Sequence, residues 1–415
     1  MSRVKIVGGG LTGILAAFQA HRLGARDIQL HERFDQLGGV ALPDQRNGVE
    51  LREGCIYFGP KGDPIRELLE SYGSTFEDFE NRFGSVSPTT DGGLRSIEDF
   101  GGPALACQAI ELSRPTGSSL ADRLAAYPPE LHNGLAEYAR WHLGHDLKDV
   151  HESAAIPLAI NRVFPVGSNL AELAEIKRRD RLADELYAIP RALWGRTQNL
   201  TASLPTGGFP ALFQRCRLAL EAIGVAIHEE SLASPRQALA EHVAGEVLVW
   251  AANPTPLFKA AGLATPKLLP KSFATYVFAA GWTGPRPFYV QNFTATGACF
   301  RVYVYESAGQ TLLTAECVAE ASAPELRREI HSLLRGFEGE LVLGDQIAAA
   351  VKPRWIYHSV AAMQGLADLR ATLFARMGPA FLPGAWEPYA KTEKFAELNA
   401  GLAAALGVEA KAAAA

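Results

Sequence analysis

The chain lacks most of the residue patterns that announce a chemistry on their own. Cysteine is sparse: five residues (Cys55, Cys107, Cys216, Cys299 and Cys317) in 415, none at C-x-x-C spacing. An odd, dispersed set supports neither a disulfide framework nor a cysteine metal site, and reads as reduced thiols in a cytoplasmic protein. The ten histidines form no compact ligand set. His142 and His145 share a helix face at i, i+3, which an ordinary helix surface explains, so no metal is expected. Long apolar runs are missing too. Nothing approaches the ~18 consecutive residues of a membrane-spanning helix, and the opening residues lead straight into a strand rather than a secretory leader. Excess positive charge is absent as well: the formal net charge is −5, so neither nucleic acid nor an anionic membrane has an electrostatic reason to bind. What remains, 48% hydrophobic and 20% charged residues, is the composition of a large-cored globular protein with room for two intertwined domains.

Against that background stands one dense motif. Val4 to Val7 is a short apolar run that enters Gly8-Gly9-Gly10-Leu11-Thr12-Gly13; a helical pattern through Ile14, Leu15, Phe18 and Leu23 follows, then Ile28 to Leu30 and Glu32. This is strand, turn, helix and strand carrying G-x-G-x-x-G, with an acid 19 positions after the third glycine. Gly8 permits the tight turn, Gly10 lets backbone approach a pyrophosphate, and Gly13 lets helix and strand pack closely. The helix N-terminus offers free N–H groups to the phosphates. Glu32 is placed to accept from a ribose hydroxyl, and its charge repels a 2′-phosphate.

A few residues on, the chain reads Leu37-Gly38-Gly39. A glycine motif, a strand-end Glu and a following Leu-Gly-Gly resemble the N-terminus of the amine oxidase, phytoene desaturase and UDP-galactopyranose mutase superfamily of FAD enzymes. The resemblance implies FAD as cofactor, which the first motif alone does not decide. In that family the second glycine pair lets backbone approach the FAD phosphates and ribityl chain. Val40 is a departure, standing where many members have Arg or Asn. The cofactor-binding residues expected at this end are Gly8, Gly10, Leu11, Thr12, Gly13, Glu32, Arg33, Gly38, Gly39 and Val40.

Two later stretches look like the same family. Leu204-Pro205-Thr206-Gly207-Gly208 followed by an amphipathic helix resembles the segment that returns to the FAD domain, with Leu232 as an apolar adenine contact beyond it. Glu246 to Pro254 resembles the strand and stop below the pyrophosphate, with Ala251 at the cofactor. The C-terminal part is less family-like. Leu373 to Phe381 is expected as a strand and Lys394 to Leu406 as a helix, with Gly384 and Trp386 at the flavin and an Ala-rich frayed helix from Glu409. Residues 47–59 would lie against the flavin, yet the His that mutases carry near position 56 is replaced by Ile56.

The expected fold is α/β: a Rossmann-type FAD domain in three discontinuous segments (1–73, 196–258, 365–415), and an inserted substrate domain. The latter has a helical part (74–195) and a mixed β-sheet part (259–364) with alternating strands at Phe273–Phe278, Phe288–Val290, Cys299–Tyr305 and Thr311–Cys317. The expected activity is FAD-dependent, amine oxidase-like oxidation of a small polar molecule by hydride transfer to flavin. Arg301, Tyr57, Lys352 and Tyr357 are the candidate catalytic residues; Arg301 stands where the mutase-like branch has a pocket-facing Arg, suited to an anion. A nucleotide-sugar isomerase using reduced FAD is the alternative, and a flavin-binding protein without turnover the third. A small-molecule substrate is the expected partner; self-association as a homodimer is left open.

Overall fold

The computed structural model describes residues 3–54, 56–189, 201–243, 245–384, 386 and 391–408. Cys55 and the Ala-rich tail from Glu409 lie outside them. Among the described residues, the first layer is a five-stranded parallel sheet. Its order is Ala226–His228, Asp27–His31, Arg3–Val7, Glu246–Trp250, Phe381–Pro383. The central strands read as near-continuous apolar runs because helices cover both faces. Val4 and Ile6 pack with Phe18, Leu30, Leu212 and Leu402 on one side, while Val7, Leu248 and Trp250 meet Leu257, Leu366 and Leu373 on the other. Strands that are far apart in sequence thus become neighbours.

The second layer is a seven-stranded mixed sheet in the order Leu341–Tyr357, Leu269–Trp282, Gln310–Cys317, Cys299–Ser307, Phe288–Asn292, Arg82–Pro88, Leu94–Glu98. Its pairs are antiparallel except Phe288–Asn292 with Arg82–Pro88. Helix Ala323–Leu334 covers one face through Leu326, Ile330, Leu333 and Leu334. Against the sheet's end pack helices Leu120–Leu124, Pro129–Leu143, Leu170–Arg179 and Arg181–Leu186. Leu131, Leu135, Tyr138 and His142 recur on one face of Pro129–Leu143 at three- and four-residue spacing, and all are buried. Each large apolar side chain so buried contributes roughly 1.5–3 kcal/mol before chain entropy is subtracted.

Three expectations differ. Residues 82–98, within the part expected to be helical (74–195), form two strands of the larger sheet, since Phe83, Ser85 and Val86 pair beside Phe288–Asn292. Leu341–Tyr357 is a strand of 17 residues that the sequence reading left out, because Gly344-Asp345-Gln346 and Ala348-Ala349-Ala350 blur its alternation. Leu373 closes a helix, Val360–Met377, and the strand beyond it is only Phe381–Pro383. The following helix is Lys391–Ala405.

Candidate dinucleotide site

The glycines of the turn divide by what needs them. Gly8 has φ +106°, and an added Cβ would lie 2.9 Å from the carbonyl carbon of Ala251. At Gly13 an added Cβ would lie 1.8 Å from the Gly8 oxygen. Both are demanded by the protein's own packing. Gly10 is not: its φ of −70° and ψ of 179° suit any residue, and an added Cβ would meet nothing closer than the Gly39 Cα at 3.9 Å. A glycine that neither backbone angle nor neighbour requires fits a group brought from outside, whose phosphates would occupy the Cβ position. Gly10 also precedes helix Leu11–Arg22, which receives no hydrogen bond from a capping side chain and has no acid in its first turn. The N–H groups around Leu11, Thr12 and Gly13 therefore suit an anion.

Gly38 and Gly39 stack onto this turn. The Gly38 N–H donates to the Gly9 carbonyl at 2.9 Å. Gly38, at φ +125°, has no room for a Cβ beside Phe213. Val40 then stands fully exposed, at 102%, an apolar side chain beside a backbone cradle. Glu32 is 6% exposed; its Oε2 accepts from Gly9 N–H at 2.6 Å and its Oε1 from Phe34 N–H at 3.0 Å. Each oxygen keeps a further lone pair for a ribose hydroxyl. Arg33 is exposed at the same rim, its guanidinium 4.4 Å from the Phe34 ring centroid. Ser231 N–H donates to the Glu32 carbonyl at 2.8 Å, which brings Leu232, 82% exposed, to that rim as well.

The second and third stretches close underneath. Ala251 N–H donates to the Val7 carbonyl at 2.8 Å, and Gly384 N–H to that of Trp250 at 2.8 Å. An added Cβ on Gly384 would fall 2.2 Å from the Ala251 Cα, so Gly8, Ala251 and Gly384 form one tight backbone stack. Trp386, expected at the flavin, is instead buried under the sheet against Phe381, and its indole N–H donates to the Trp250 carbonyl at 2.9 Å.

Beyond Val40 the cleft continues into a hollow lined by Val40 to Asp44, Leu51 to Gly54, Ile56, Phe209 and Lys352. The four catalytic candidates do not converge here. Tyr57 lies near it, its ring 6.1 Å from that of Tyr303. Arg301 alternates with Tyr303 and Tyr305 on one strand, so the three share a sheet face, but its Nε is paired with Glu316, which is 0% exposed. Lys352 sits on the outer rim, bonded to Asp44 and, at 3.0 Å, to Glu53. Tyr357 is elsewhere, in the core under the helices, its hydroxyl 3.1 Å from His142 Nε2. Burial, with Lys271 and Arg301 nearby, pulls His142 down to about 3, so that imidazole is neutral.

Sequence reasoning missed the residues that join the two layers. Glu50 and Arg52 lie on Val49–Leu51 and just after it, pointing the same way. Arg52 Nε donates to Glu50 Oε2 at 2.8 Å, and Phe209 N–H donates to Glu50 Oε1 at 3.0 Å. The Tyr305 hydroxyl donates to the Glu50 carbonyl at 3.1 Å and accepts from Arg52 N–H at 3.0 Å. Opposite charges at i, i+2 on an otherwise apolar strand were the available signal.

The geometry is that of a Rossmann-like α/β layer with an uncapped helix N-terminus at its glycine turn, and residues 6–72 match the family model described as an NAD(P)-binding Rossmann-like domain. Over nearly its full length the chain shares its fold with several solved structures. It is similar to a reduced UDP-galactopyranose mutase (13% identity, 98% of this chain and 96% of that one, TM-score 0.63). A redesigned putrescine oxidase double mutant follows (15% identity, 98% of each chain, TM-score 0.56). A cyclohexylamine oxidase from Brevibacterium oxydans IH-35A is a further relative in fold (13% identity, 98% and 99%, TM-score 0.53). No curated protein matches the sequence. No helix among the described residues is long and apolar enough to cross a membrane.

Proposed function

We propose that the chain is an FAD-dependent oxidoreductase acting on a small polar organic molecule. The observation that carries this reading is Gly10, a glycine that neither its backbone angles nor its neighbours require and that leaves room for a phosphate group. FAD rather than a free nicotinamide is favoured by the second cradle at Gly38 and Gly39 and by the hollow that continues from it. When bound, the flavin supplies hydride acceptance from a substrate C–H bond. The chain's own part is to bind and orient. Leu11, Thr12 and Gly13 present N–H groups to the phosphates, Glu32 holds the ribose, and Leu51, Ile56 and Phe209 supply apolar walls to the hollow. Titratable side chains in reach are already paired, which suits a reaction where the cofactor does the redox chemistry.

The test is direct. Purified protein should be yellow, and heat should release FAD; release of FMN, or of a nicotinamide alone, would refute the reading. Anaerobic incubation with pools of amines and hydroxy acids should then bleach the flavin band. The nucleotide-sugar isomerase remains the second reading, favoured by the position of Arg301 on the inward sheet face. It is weakened by the commitment of Arg301 to Glu316 and by Ile56. Turnover of a nucleotide sugar only after flavin reduction would select it.

A further inference from the structure

One charge lies inside the molecule, between the cofactor layer and the larger sheet, and has no part in the roles above. The Arg52 side chain is 10% exposed and lines the hollow. Its guanidinium lies 5.3 Å from the Tyr305 ring centroid and 5.9 Å from that of Phe209. Burial pulls its pKa down, but Tyr303 and Glu50 beside it outweigh that and leave it raised. It is a permanent cation.

Glu50 does not cancel this charge. Its second oxygen accepts from Phe209 N–H, in the first turn of helix Gly208–Ala222, whose own N-cap residue, Gly207, has no capping side chain and whose first turn has no acid. The carboxylate therefore faces two positive partners, the guanidinium and a helix end equivalent to roughly half a charge. The sum of the three is positive. Lys352 bonds to both Asp44 and Glu53 at the rim, with side chains 42%, 64% and 25% exposed, where water screens them. At the inner wall, Arg52 sets the field.

The path of a bound dinucleotide leads there. Phosphates at Gly10 pass the Gly38–Gly39 pair, and the next space beyond Val40 is the hollow. We propose that Arg52 is the fixed cation that faces the redox ring of the dinucleotide and stabilises the negative charge the ring gains on reduction. The assignment rests on the FAD reading above. On taking two electrons and one proton from the substrate, the ring acquires one net negative charge. A guanidinium pinned by a carboxylate and two aromatic rings is preorganised to meet that charge.

The experiment is a dithionite titration of the FAD-loaded protein against a reference dye. Arg52→Met should lower the equilibrium constant for two-electron reduction at least about tenfold, or about 30 mV. Arg52→Lys, which keeps the charge, should stay within about threefold of wild type. Glu50→Gln, which removes the balancing negative charge, should shift the constant the opposite way. Arg52→Gln replaces the Met variant if that one does not fold. Equal constants in all FAD-loaded variants, or an equal loss in Arg52→Lys and Arg52→Met, would overturn the assignment while leaving the cofactor reading intact. A wild-type protein that binds no FAD would remove that reading, and this assignment with it.

Discussion

The glycine turn and the larger sheet treat their polar groups in opposite ways. At the turn, the helix N-terminus after Gly10 has no side-chain cap and Glu32 keeps lone pairs to offer. In the sheet, Arg301 is closed on Glu316, Lys352 on Asp44 and Glu53, and Tyr357 on His142. One half is built to be completed by a ligand; the other is already complete. A buried charge that has its partner inside the protein is a stability element first, so candidate catalytic residues chosen by type alone fall mostly into that second group.

The contrast breaks most visibly within the turn itself. Gly13→Ala should cost about 3 kcal/mol or more, because its Cβ meets a backbone oxygen that cannot move; a urea midpoint equal to wild type would show that the packing is looser than described. Arg301→Ala should cost a similar amount, about 3 kcal/mol, by taking the guanidinium away from the buried Glu316 carboxylate. Adding Glu316→Gln should restore more than about 1 kcal/mol of that, and a double variant no more stable than the single one would argue against a closed pair. Gly10→Val sharpens the comparison from the other side. With FAD removed from both proteins, its unfolding free energy should differ from that of wild type by no more than about 1 kcal/mol, while the protein as purified should lack FAD, as read by absorbance per chain. Full occupancy in Gly10→Val would detach the turn from the cofactor.

A last difference concerns pH. The folded His142 pKa, about 3, is depressed below the usual value of 6.5. Unfolded chains therefore bind the proton first, and the stability tied to neutral His142 is complete above about pH 6.5 and falls as pH drops toward 3. The slope from this one group should not exceed about 1.4 kcal/mol per pH unit. His31, lowered to about 4 chiefly by burial, adds to the same window. Unfolding curves of His142→Gln between pH 7 and 4 should be flatter than those of wild type; parallel curves would take His142 out of the account.

The sequence alone determined the local units. Gly8, Gly10, Gly13 and Glu32 each carry a backbone or charge requirement that acts within about 30 residues, so the turn, its helix and the strand after it were legible. So were the strands around Phe300, whose alternation is local. Strand Glu246–Trp250 was legible as a buried apolar run, Phe381–Pro383 only roughly and only through family resemblance.

Only the tertiary structure decided which side chains meet. Residues 8, 251 and 384 stack because Gly8 and Gly384 lack the Cβ that would strike the Ala251 backbone, a fact no single stretch contains. Trp386 and Tyr357 became core residues because the nearest partners for their polar atoms are the Trp250 carbonyl and His142. Glu50 and Arg52 became the junction between layers because a helix end from residue 208 onward and a tyrosine from residue 305 both arrive beside them. Periodicity fixes which face a residue shares with its neighbours along the chain. What lies across from that face depends on contacts hundreds of residues away, and there the charges of this protein find their roles.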